Sequence, residues 1–278
     1  MDEHSVTRFA PSPTGFMHLG HVAAARFARD HGRRFLLRFE DIDPGRCRPE
    51  YAAAMVEDMV WLGLQWEGPV RTQSVHLPEY AAALDRLRAM DLLYPCFCTR
   101  AEIAREVAAA VHAPHGPDGA PLYPGTCRHL DGNECADRIA QGHPHAWRLD
   151  MGKATGRTGP LWWFEAGQGR LRCHPEAFGD VVLGRKDAPA SYHLCVTHDD
   201  ALQGVTLVTR GEDLLPATAV HRLLQALMGW PEPAYAHHTL LRGPDGHRLS
   251  KRDGAAAIRD LRDAGVPAGE VLRRALFS

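Results

Sequence analysis

The order of elements is set by residues 6–32, which read VTRFAPSPTGFMHLGHVAAARFARDHG. Residues 6–10 are β-prone, residues 11–15 carry two prolines and a glycine, and residues 19–31 have the alanine-rich composition of a helix. The stretch therefore predicts a strand, a loop and a helix in succession. A loop between a strand and a helix exposes backbone N–H groups at the helix N-terminus, where anions bind.

The following residues repeat this alternation. Residues 34–39 predict a second strand that ends in an acidic turn, and Pro49 opens a predicted helix that ends near residue 62. Further along, a helix is predicted at residues 78–90. Two strands are predicted at residues 192–197 and 205–210, and a helix follows from about residue 216. Alternating strands and helices predict an α/β fold with a parallel sheet.

The chain divides into three predicted parts. Gly, Pro and His are frequent between residues 112 and 124, and regular patterning stays weak until residue 178, which indicates an inserted subdomain at residues 95–178. Residues 1–94 and 179–234 would form a discontinuous α/β domain around it. The arginine-rich remainder, residues 235–278, is predicted to be mainly helical.

The composition is that of a globular protein. The chain has 278 residues and a formal net charge of −2, so a polyanionic partner would have to meet a local basic surface. The N-terminus lacks the features of a signal peptide and no apolar run could span a membrane, so we expect a cytoplasmic protein without a membrane partner. Seven cysteines then fit reduced thiols and a metal site better than disulfides. Nothing requires a dimer, and we expect a monomer.

Two histidines, His18 and His21, flank Gly20 at the predicted start of the first helix. Their side chains could donate to phosphate oxygens, and Gly20 would let a flat base lie against the backbone. The sequence has neither a GxxxxGK[ST] nor a GxGxxG motif, so a nucleotide would have to be held by another device such as this one. The alternative is two surface histidines in a chain that contains 17.

A cysteine cluster lies in the predicted insertion. Cys96, Cys98 and Cys127 offer three soft ligands around a small loop, which is typical of a structural zinc site. Three thiolates leave one tetrahedral position open. Spacing alone does not decide which nearby residue would be the fourth ligand. The nearby candidates are His112, His115, His129 and Cys135. Buried thiols without a metal are the alternative.

Four motifs resemble class I glutamyl-tRNA synthetases. They are RFAPSPTG, HLGH, LRFEDID and RLSKR, which begin at residues 8, 18, 37 and 248. The resemblance implies a Rossmann-like catalytic domain, an inserted zinc-binding subdomain and a C-terminal helical segment, with ATP and Mg²⁺ activating L-glutamate. It implies that His18, His21 and Lys251 are catalytic and that, with Gly20, they bind ATP. Fixed donors and a mobile ammonium would stabilise the charge that develops on the phosphates.

The same resemblance assigns the other site residues. It implies a glutamate pocket formed by Arg8, Ala10, Ser12, Glu40, Tyr192 and Arg210. Arginines suit carboxylates and an acidic residue suits the ammonium, whereas arginines facing water at strand edges are the alternative. The resemblance also implies that Tyr123 is the fourth ligand of one structural Zn²⁺. Arg248 departs from the lysine usual in the family. Lys251 is one of only three lysines, and a solvated charged turn is the alternative there.

The shortness of the chain narrows the resemblance. Only a short segment follows Arg252, whereas a glutamyl-tRNA synthetase continues into a helical anticodon-binding portion. With the cysteine insertion and the phrase DDALQG at residues 199–204, this is similar to the truncated glutamyl-queuosine tRNA(Asp) synthetases. Those enzymes transfer glutamate to queuosine in the anticodon of tRNA(Asp). The alternatives are a minimal glutamyl-tRNA synthetase that charges a tRNA 3′ end, a non-catalytic zinc-containing RNA-binding paralogue, and a ligase for a small hydroxylated metabolite.

The last segment carries arginines that could contact phosphates of an RNA partner. They include Arg242, Arg252, Arg259, Arg273 and Arg274. A solvated helix face is the alternative for this group.

Overall fold

Strands and helices alternate along most of the chain. The computed structural model describes residues 4–109, 115–241 and 256–276. The strands are β1 (Val6–Phe9), β2 (Arg34–Phe39), β3 (Arg71–Thr72), β4 (Leu93–Cys96), β5 (Ala146–Leu149), β6 (Trp162–Glu165), β7 (Gly169–Arg172), β8 (Val182–Gly184), β9 (Leu207–Gly211) and β10 (Ala234–His238). The α-helices are α1 (Leu19–His31), α2 (Pro49–Trp61), α3 (Leu77–Ala89), α4 (Arg100–Ala109), α5 (Gly132–Ala140), α6 (Met151–Thr158), α7 (Tyr192–Leu202), α8 (Thr218–Met228), α9 (Ile258–Asp263) and α10 (Ala268–Arg274). None of the helices in the described ranges is long and apolar enough to span a bilayer.

Two parallel half-sheets form the layer that holds the candidate site. β2 pairs with β1 and β3, and β10 pairs with β9 and β6, while β7 adds an antiparallel edge. β1 lies beside β9, where the Thr206 N–H donates to the Val6 carbonyl over 3.0 Å. No regular ladder joins β1 to β9 within the described part of the chain. The order β3-β2-β1-β9-β10 is that of a doubly wound sheet, which confirms the α/β prediction and puts its switch point between β1 and β9.

Burial and close packing explain why the first unit folds as it does. Every residue of β1 is buried, as expected for a parallel strand covered on both faces. α1 then buries Val22, Ala25 and other small residues against this layer. Gly32 ends the helix, and a Cβ at that position would lie 2.0 Å from the Thr7 Oγ1. The return from α1 into β2 therefore requires glycine.

The middle of the chain contributes to two sheets. β5 pairs with β4 and β8 in an antiparallel sheet, and this sheet shares an apolar core with α3, α6, α7 and α8. β6 and β7 also lie within residues 95–178, yet β6 pairs with β10 of the parallel half-sheet. The three-part domain division stays a prediction.

One prediction about an individual element was wrong, and another segment begins differently from what the sequence predicts. Residues 192–197, predicted as a strand, form the first turns of α7, which buries Leu194, Cys195 and Val196. The segment from residue 235, predicted as mainly helical, contains two helices but begins within β10, whose register against β9 pairs Tyr235 with Val208. Pairing and packing with distant elements outweigh local preferences at both places. α9 and α10 follow further on and pack Ile258 and Val271 into the core beside α1 and α2.

Candidate active site

A cavity of about 180 Å³ lies at the N-terminus of α1 and the carboxyl ends of β9 and β10. Doubly wound sheets bind ligands at this edge. The lining residues come from three places in the chain, and they are His18, Gly20, His21, Ala24, Gly211, Asp213, Leu214, His238, Leu240 and Leu241. The structure thus brings the three residues predicted for ATP at the start of α1 to one cavity.

His18 and His21 are held by the backbone of the helix that they begin. Their rings stack with centroids 3.9 Å apart. The Gly20 N–H donates to the His18 Nδ1 (3.1 Å), and the His18 N–H donates to the His21 Nδ1 (3.4 Å). Because both Nδ1 atoms accept, each neutral ring carries its proton on Nε2, where it is a donor. The first turn of α1 contains no acidic residue, so no carboxylate of that turn competes with an anion at the helix N-terminus.

Two glycines allow close approach to the backbone in this cavity. A Cβ on Gly20 would lie 3.0 Å from the His18 ring, and one on Gly211 would lie 2.5 Å from the Asp213 Oδ1 and 2.8 Å from the Leu240 Cδ2. Side chains at these positions would push lining groups into the cavity. Both positions therefore keep main chain accessible at the cavity, and the role of Gly20 beneath a base stays a prediction.

Arg8 fixes the junction between the two half-sheets. Its side chain, from β1, is 4% exposed. The Arg8 Nε and Nη2 donate to the two Asp200 carboxylate oxygens (2.8 and 3.3 Å), and Nη1 donates to the Thr209 carbonyl of β9 (2.8 Å). These three bonds leave two of the five guanidinium N–H groups for another acceptor.

Arg38 is a buried residue of the site that sequence reasoning missed. It is fully buried, its Nη1 lies 2.8 Å from Asp200, and its Nη2 donates to the Glu40 Oε1 (3.3 Å). Burial raises the pKa of Glu40, although the charges of Arg38 and Arg8 oppose that shift. Burial also favours a raised pKa for Asp200, but the charges of Arg8 and Arg38 outweigh it, and the pKa is lowered. The signal available in the sequence was a charge inside the apolar strand RFLLRF.

Asp199, next in the chain to Asp200, anchors the other side of α7. Its carboxylate accepts hydrogen bonds from the Arg71 Nε (2.8 Å), the Gln73 Nε2 (3.0 Å) and the Tyr80 hydroxyl (2.8 Å). Burial would raise its pKa, but the His198 hydrogen bond and nearby positive charge lower the pKa overall. The pair of aspartates thus holds α7 against both β1 and α3.

Arg210, from β9, is the other predicted arginine of the pocket, and its surroundings differ from those of Arg8. It is 7% exposed and donates to the His237 Nε2 (3.1 Å), the His221 Nδ1 (2.9 Å) and the Thr218 Oγ1 (2.7 Å). Among the residues that the structure describes, none of its hydrogen-bond acceptors is a carboxylate. Burial raises the pKa of Tyr192, and the charges of Arg210, Glu40 and Arg8 also act on this phenol. The grouping of these four side chains in one pocket stays a prediction.

The loop after β1 carries the two remaining pocket residues. Ala10 is half-buried and Ser12 is exposed. Between them, the Pro11 carbonyl accepts the Glu40 N–H (3.0 Å), which ties the loop to the end of β2. Lys251, the predicted catalytic lysine, lies outside the described residues, as do Arg242, Arg248 and Arg252. All these roles stay predictions.

The other arginines of the last segment have partners within the protein. Arg259 lies over the Phe16 ring, 4.5 Å from its centroid. Arg273 and Arg274 both pair with Glu270. These contacts are those of a helix surface, and contact with phosphate stays a prediction.

The predicted metal ligands converge at the end of β4. The Cys96, Cys98 and Cys127 sulfur atoms all lie within 4.8 Å of one another. The Cys98 and Cys127 Sγ atoms are 3.4 Å apart, close to the roughly 3.8 Å between two sulfurs that bind one tetrahedral metal with bonds of about 2.3 Å. The Tyr123 hydroxyl lies 3.7 Å from the Cys98 Sγ and accepts the Cys127 N–H (2.8 Å). This donor set could bind a metal ion.

The rival ligands stay outside this group. In the described ranges, neither His115, His129 nor Cys135 belongs to the set of ligand atoms within 4.8 Å, and His112 lies beyond those ranges. Burial raises the pKa of the Cys98 thiol to about 11. Burial also favours a raised pKa for the Cys127 thiol. Hydrogen bonds, of which the one with Tyr123 has the largest effect, outweigh burial, and the pKa of Cys127 is lowered overall.

Comparisons with known proteins agree with this geometry. The family profile described as class I tRNA synthetases (E and Q), catalytic domain, matches residues 5–277. A glutamyl-Q tRNA(Asp) synthetase of Rhodobacter capsulatus is 47% identical over 278 residues, which cover 96% of this chain and 98% of the relative. One from Nocardia farcinica is 46% identical and covers 95% of this chain and 81% of the relative.

Solved structures give the same fold. A glutamate tRNA ligase from Elizabethkingia meningosepticum, in complex with its amino acid, has a TM-score of 0.74 and 30% identity over 91% of this chain. The match covers 53% of that ligase, so this chain spans about half its length. The chain belongs to the class I synthetases for glutamate and glutamine, and within them to the glutamyl-Q tRNA(Asp) synthetase family.

Proposed function

We propose that this protein activates L-glutamate with ATP and transfers it to the queuosine base in the anticodon of tRNA(Asp). The observation that carries the proposal is the position of a cavity and two buried arginines on neighbouring elements of the sheet. The cavity at the N-terminus of α1 suits phosphates, and the arginines, Arg8 on β1 and Arg210 on β9, lie on the two strands that flank the switch point. The acceptor is taken from the relatives, which are named for it.

The ATP site would use groups that donate hydrogen bonds. The Nε2–H groups of His18 and His21 and the first N–H groups of α1 would bind phosphate oxygens, with Gly20 beneath the base. Lys251 would follow the phosphates as a flexible point charge. Mg²⁺, when bound with ATP, neutralises phosphate charge in such sites.

The glutamate site would use groups of opposite charge. Arg8 and Arg210 each keep two N–H groups for a carboxylate, and the Glu40 carboxylate would accept the ammonium group. Tyr192 would close the pocket from α7, with Ala10 and Ser12 below.

The reaction needs no side-chain nucleophile. The α-carboxylate of glutamate attacks the α-phosphorus of ATP, and pyrophosphate leaves with the electron pair of the broken P–O bond. A hydroxyl of the queuosine cyclopentene diol then attacks the activated carbonyl, loses its proton and displaces AMP. Fixed donors accelerate the first step because negative charge shifts among the phosphoryl oxygens in the transition state.

The thiol cluster has a structural role in this proposal. We infer that Cys96, Cys98, Cys127 and Tyr123 hold one Zn²⁺ that crosslinks the loops after β4. Phosphate chemistry is supplied at the α1 cavity by other residues. The ion would therefore contribute to folding and to presentation of the tRNA.

The test follows labelled glutamate into two matched tRNA pools, one that contains queuosine and one from cells unable to make it. We expect label only in the first pool, and we expect it to persist when 3′ ends are blocked with periodate under conditions that spare the diol. Equal labelling that is lost on blocking would instead establish a minimal glutamyl-tRNA synthetase. Absence of glutamate-dependent ATP–pyrophosphate exchange in folded, zinc-loaded protein would favour a non-catalytic paralogue.

A further inference from the structure

A buried chain of hydrogen bonds lies behind Arg210. Glu165, in β6, is 1% exposed and its carboxylate accepts three hydrogen bonds. They come from the His237 backbone N–H (2.9 Å), the His237 Nδ1 (2.8 Å) and the Trp163 Nε1 (3.2 Å). Neither Glu165 nor His237 touches the cavity at α1.

The contacts of Glu165 fix the tautomer of His237. A carboxylate can only accept, so the His237 Nδ1 must carry a proton. In the neutral ring the Nε2 is then bare, and it accepts the Arg210 Nε–H (3.1 Å). A neutral His221 works in the same way on the other side, because its Nδ1 accepts from the Arg210 Nη1 and its Nε2 donates to the His193 Nδ1 (3.1 Å).

The imidazoles around Arg210 stay neutral. Burial, followed by the charge of Arg210, lowers the pKa of His237 and of His193 to about 4. The same causes lower the pKa of His221 well below its ordinary value. A protonated ring at His237 or His221 would present a donor to the guanidinium, so the geometry and the charge state agree.

This arrangement leaves Arg210 without a carboxylate in direct contact among the described residues. Arg8 has a carboxylate in direct contact, whereas the nearest acid of the Arg210 chain, Glu165, is one imidazole away. A carboxylate in direct contact would compete with a carboxylate of the ligand for the same N–H groups. Neutral acceptors hold the plane of the guanidinium and leave its charge available.

We propose that Glu165, His237 and His221 are positioning residues, which orient Arg210 toward a carboxylate of the amino acid substrate. This inference rests on the proposed function, because it takes glutamate as the ligand of Arg210. Glu165 acts indirectly, because it fixes the tautomer of His237 and that ring in turn accepts the hydrogen bond from Arg210. Fixing a ring by a buried carboxylate is the same physical device that orients ligand histidines in metal sites.

The first variant is Glu165→Gln. Its amide keeps one acceptor oxygen and places an NH₂ group against a donor, so in either amide orientation His237 loses one of its two hydrogen bonds to residue 165, at Nδ1 or at the backbone N–H, and its ring is held less firmly against Arg210. We expect glutamate affinity to fall about ten-fold, the loss typical of one charge-assisted hydrogen bond. The KM for ATP should change less than two-fold. The readouts are calorimetric titration with glutamate and KM values from ATP–pyrophosphate exchange.

Two variants of His237 separate orientation from folding. Glutamine reaches about as far as Nε2 and can offer an oxygen to Arg210, whereas asparagine reaches about as far as Nδ1 and can only donate to Glu165. We expect His237→Gln to bind glutamate at least three-fold more tightly than His237→Asn. Equal affinities for glutamate in the two variants would overturn the proposal even if both were less stable than the wild type.

A control variant tests whether the loss of any buried carboxylate charge would lower glutamate affinity. Asp180 is 2% exposed and also accepts three hydrogen bonds, from Tyr94, Arg128 and the Met151 N–H, away from Arg210. Asp180→Asn should reduce thermal stability without changing glutamate affinity. Wild-type affinity for glutamate in Glu165→Gln would refute the inference. Glutamate binding by the wild type without exchange would refute the proposed reaction alone, and no binding at all would refute both.

Discussion

At the scale of single residues, the candidate ATP site depends on positions without side chains. Gly20 lies in the first turn of α1, where alanine would ordinarily favour the helix by up to about 1 kcal/mol. Its missing Cβ instead leaves room for the His18 ring, which would be 3.0 Å from a methyl group. Helix stability therefore favours alanine at this position, whereas the position of the His18 ring favours glycine.

Gly20→Ala should separate these two demands. We expect the variant to keep or slightly raise its melting temperature, because alanine is the better helix former. The displaced His18 ring should reduce kcat/KM for ATP about ten-fold in pyrophosphate exchange.

Gly156→Ala is the matched control for that experiment. Gly156 lies in α6, and a Cβ at this position would meet no group of the described residues within 4 Å, so alanine should stabilise the helix without any effect on ATP. Unchanged ATP kinetics in Gly20→Ala would remove the proposed constraint on His18.

At the scale of elements, the thiol cluster joins the end of β4 to a distant turn. Cys127→Ser should abolish binding of one metal ion per chain and lower the melting temperature by roughly 5–10 °C. Glutamate-dependent exchange should persist at a temperature where the variant is folded. Elemental analysis and native mass spectrometry measure the metal.

Two further variants make the choice of ligands testable. Cys135→Ser should retain the ion, because Cys135 lies outside the group of converging sulfurs. Tyr123→Phe should weaken metal binding if the phenol is the fourth ligand, and full retention in this variant would remove Tyr123 from the set. A metal-free wild type purified without chelators would contradict the site as a whole.

Elements with local signals were predictable. β1, α1 and α2 lie where periodicity, proline and glycine placed them, because those signals act within a few residues. α7 was not predictable, since the aromatic and β-branched residues at its start favour a strand in isolation. β10 is a strand because β9, some distance back in the chain, supplies its pairing partner.

The candidate site divides in the same way. His18, Gly20 and His21 are neighbours in the sequence, so a short motif is enough to group them. Glu165 and His237 are 72 positions apart, and neither lies in a motif. Their contact depends on β6 pairing beside β10, which residue patterns do not encode.

At the scale of the whole molecule, buried histidines make stability depend on pH. His193, His221 and His237 are neutral when folded because burial lowers each pKa, to about 4 for His193 and His237. The unfolded chain titrates near 6.5, so between about pH 4 and 6.5 it binds more protons than the folded protein. Stability contributed by neutral rings is therefore complete above pH 6.5 and lost on acidification.

Calorimetric melting at pH 7, 6 and 5 tests this expectation. We expect the melting temperature to fall by roughly 5 °C or more over that range, and His193→Asn to flatten the dependence. Asp58 acts in the opposite direction, because burial raises its pKa to about 6 and its protonated form favours the folded state at low pH. A melting temperature that rises on acidification would mean that such carboxyl groups outweigh the three histidines.

Under the proposed function, the bound substrate would also hold the two half-sheets together at the junction between β1 and β9. The two half-sheets meet there through few main-chain contacts and through the bonds of Arg8, and each half carries one of the two arginines proposed to bind glutamate. A dicarboxylate bound by both arginines would bridge the two half-sheets reversibly. Its binding free energy would add to the stability of the folded protein. At low glutamate concentration the protein would then be less stable as well as inactive, and proteases would degrade it faster.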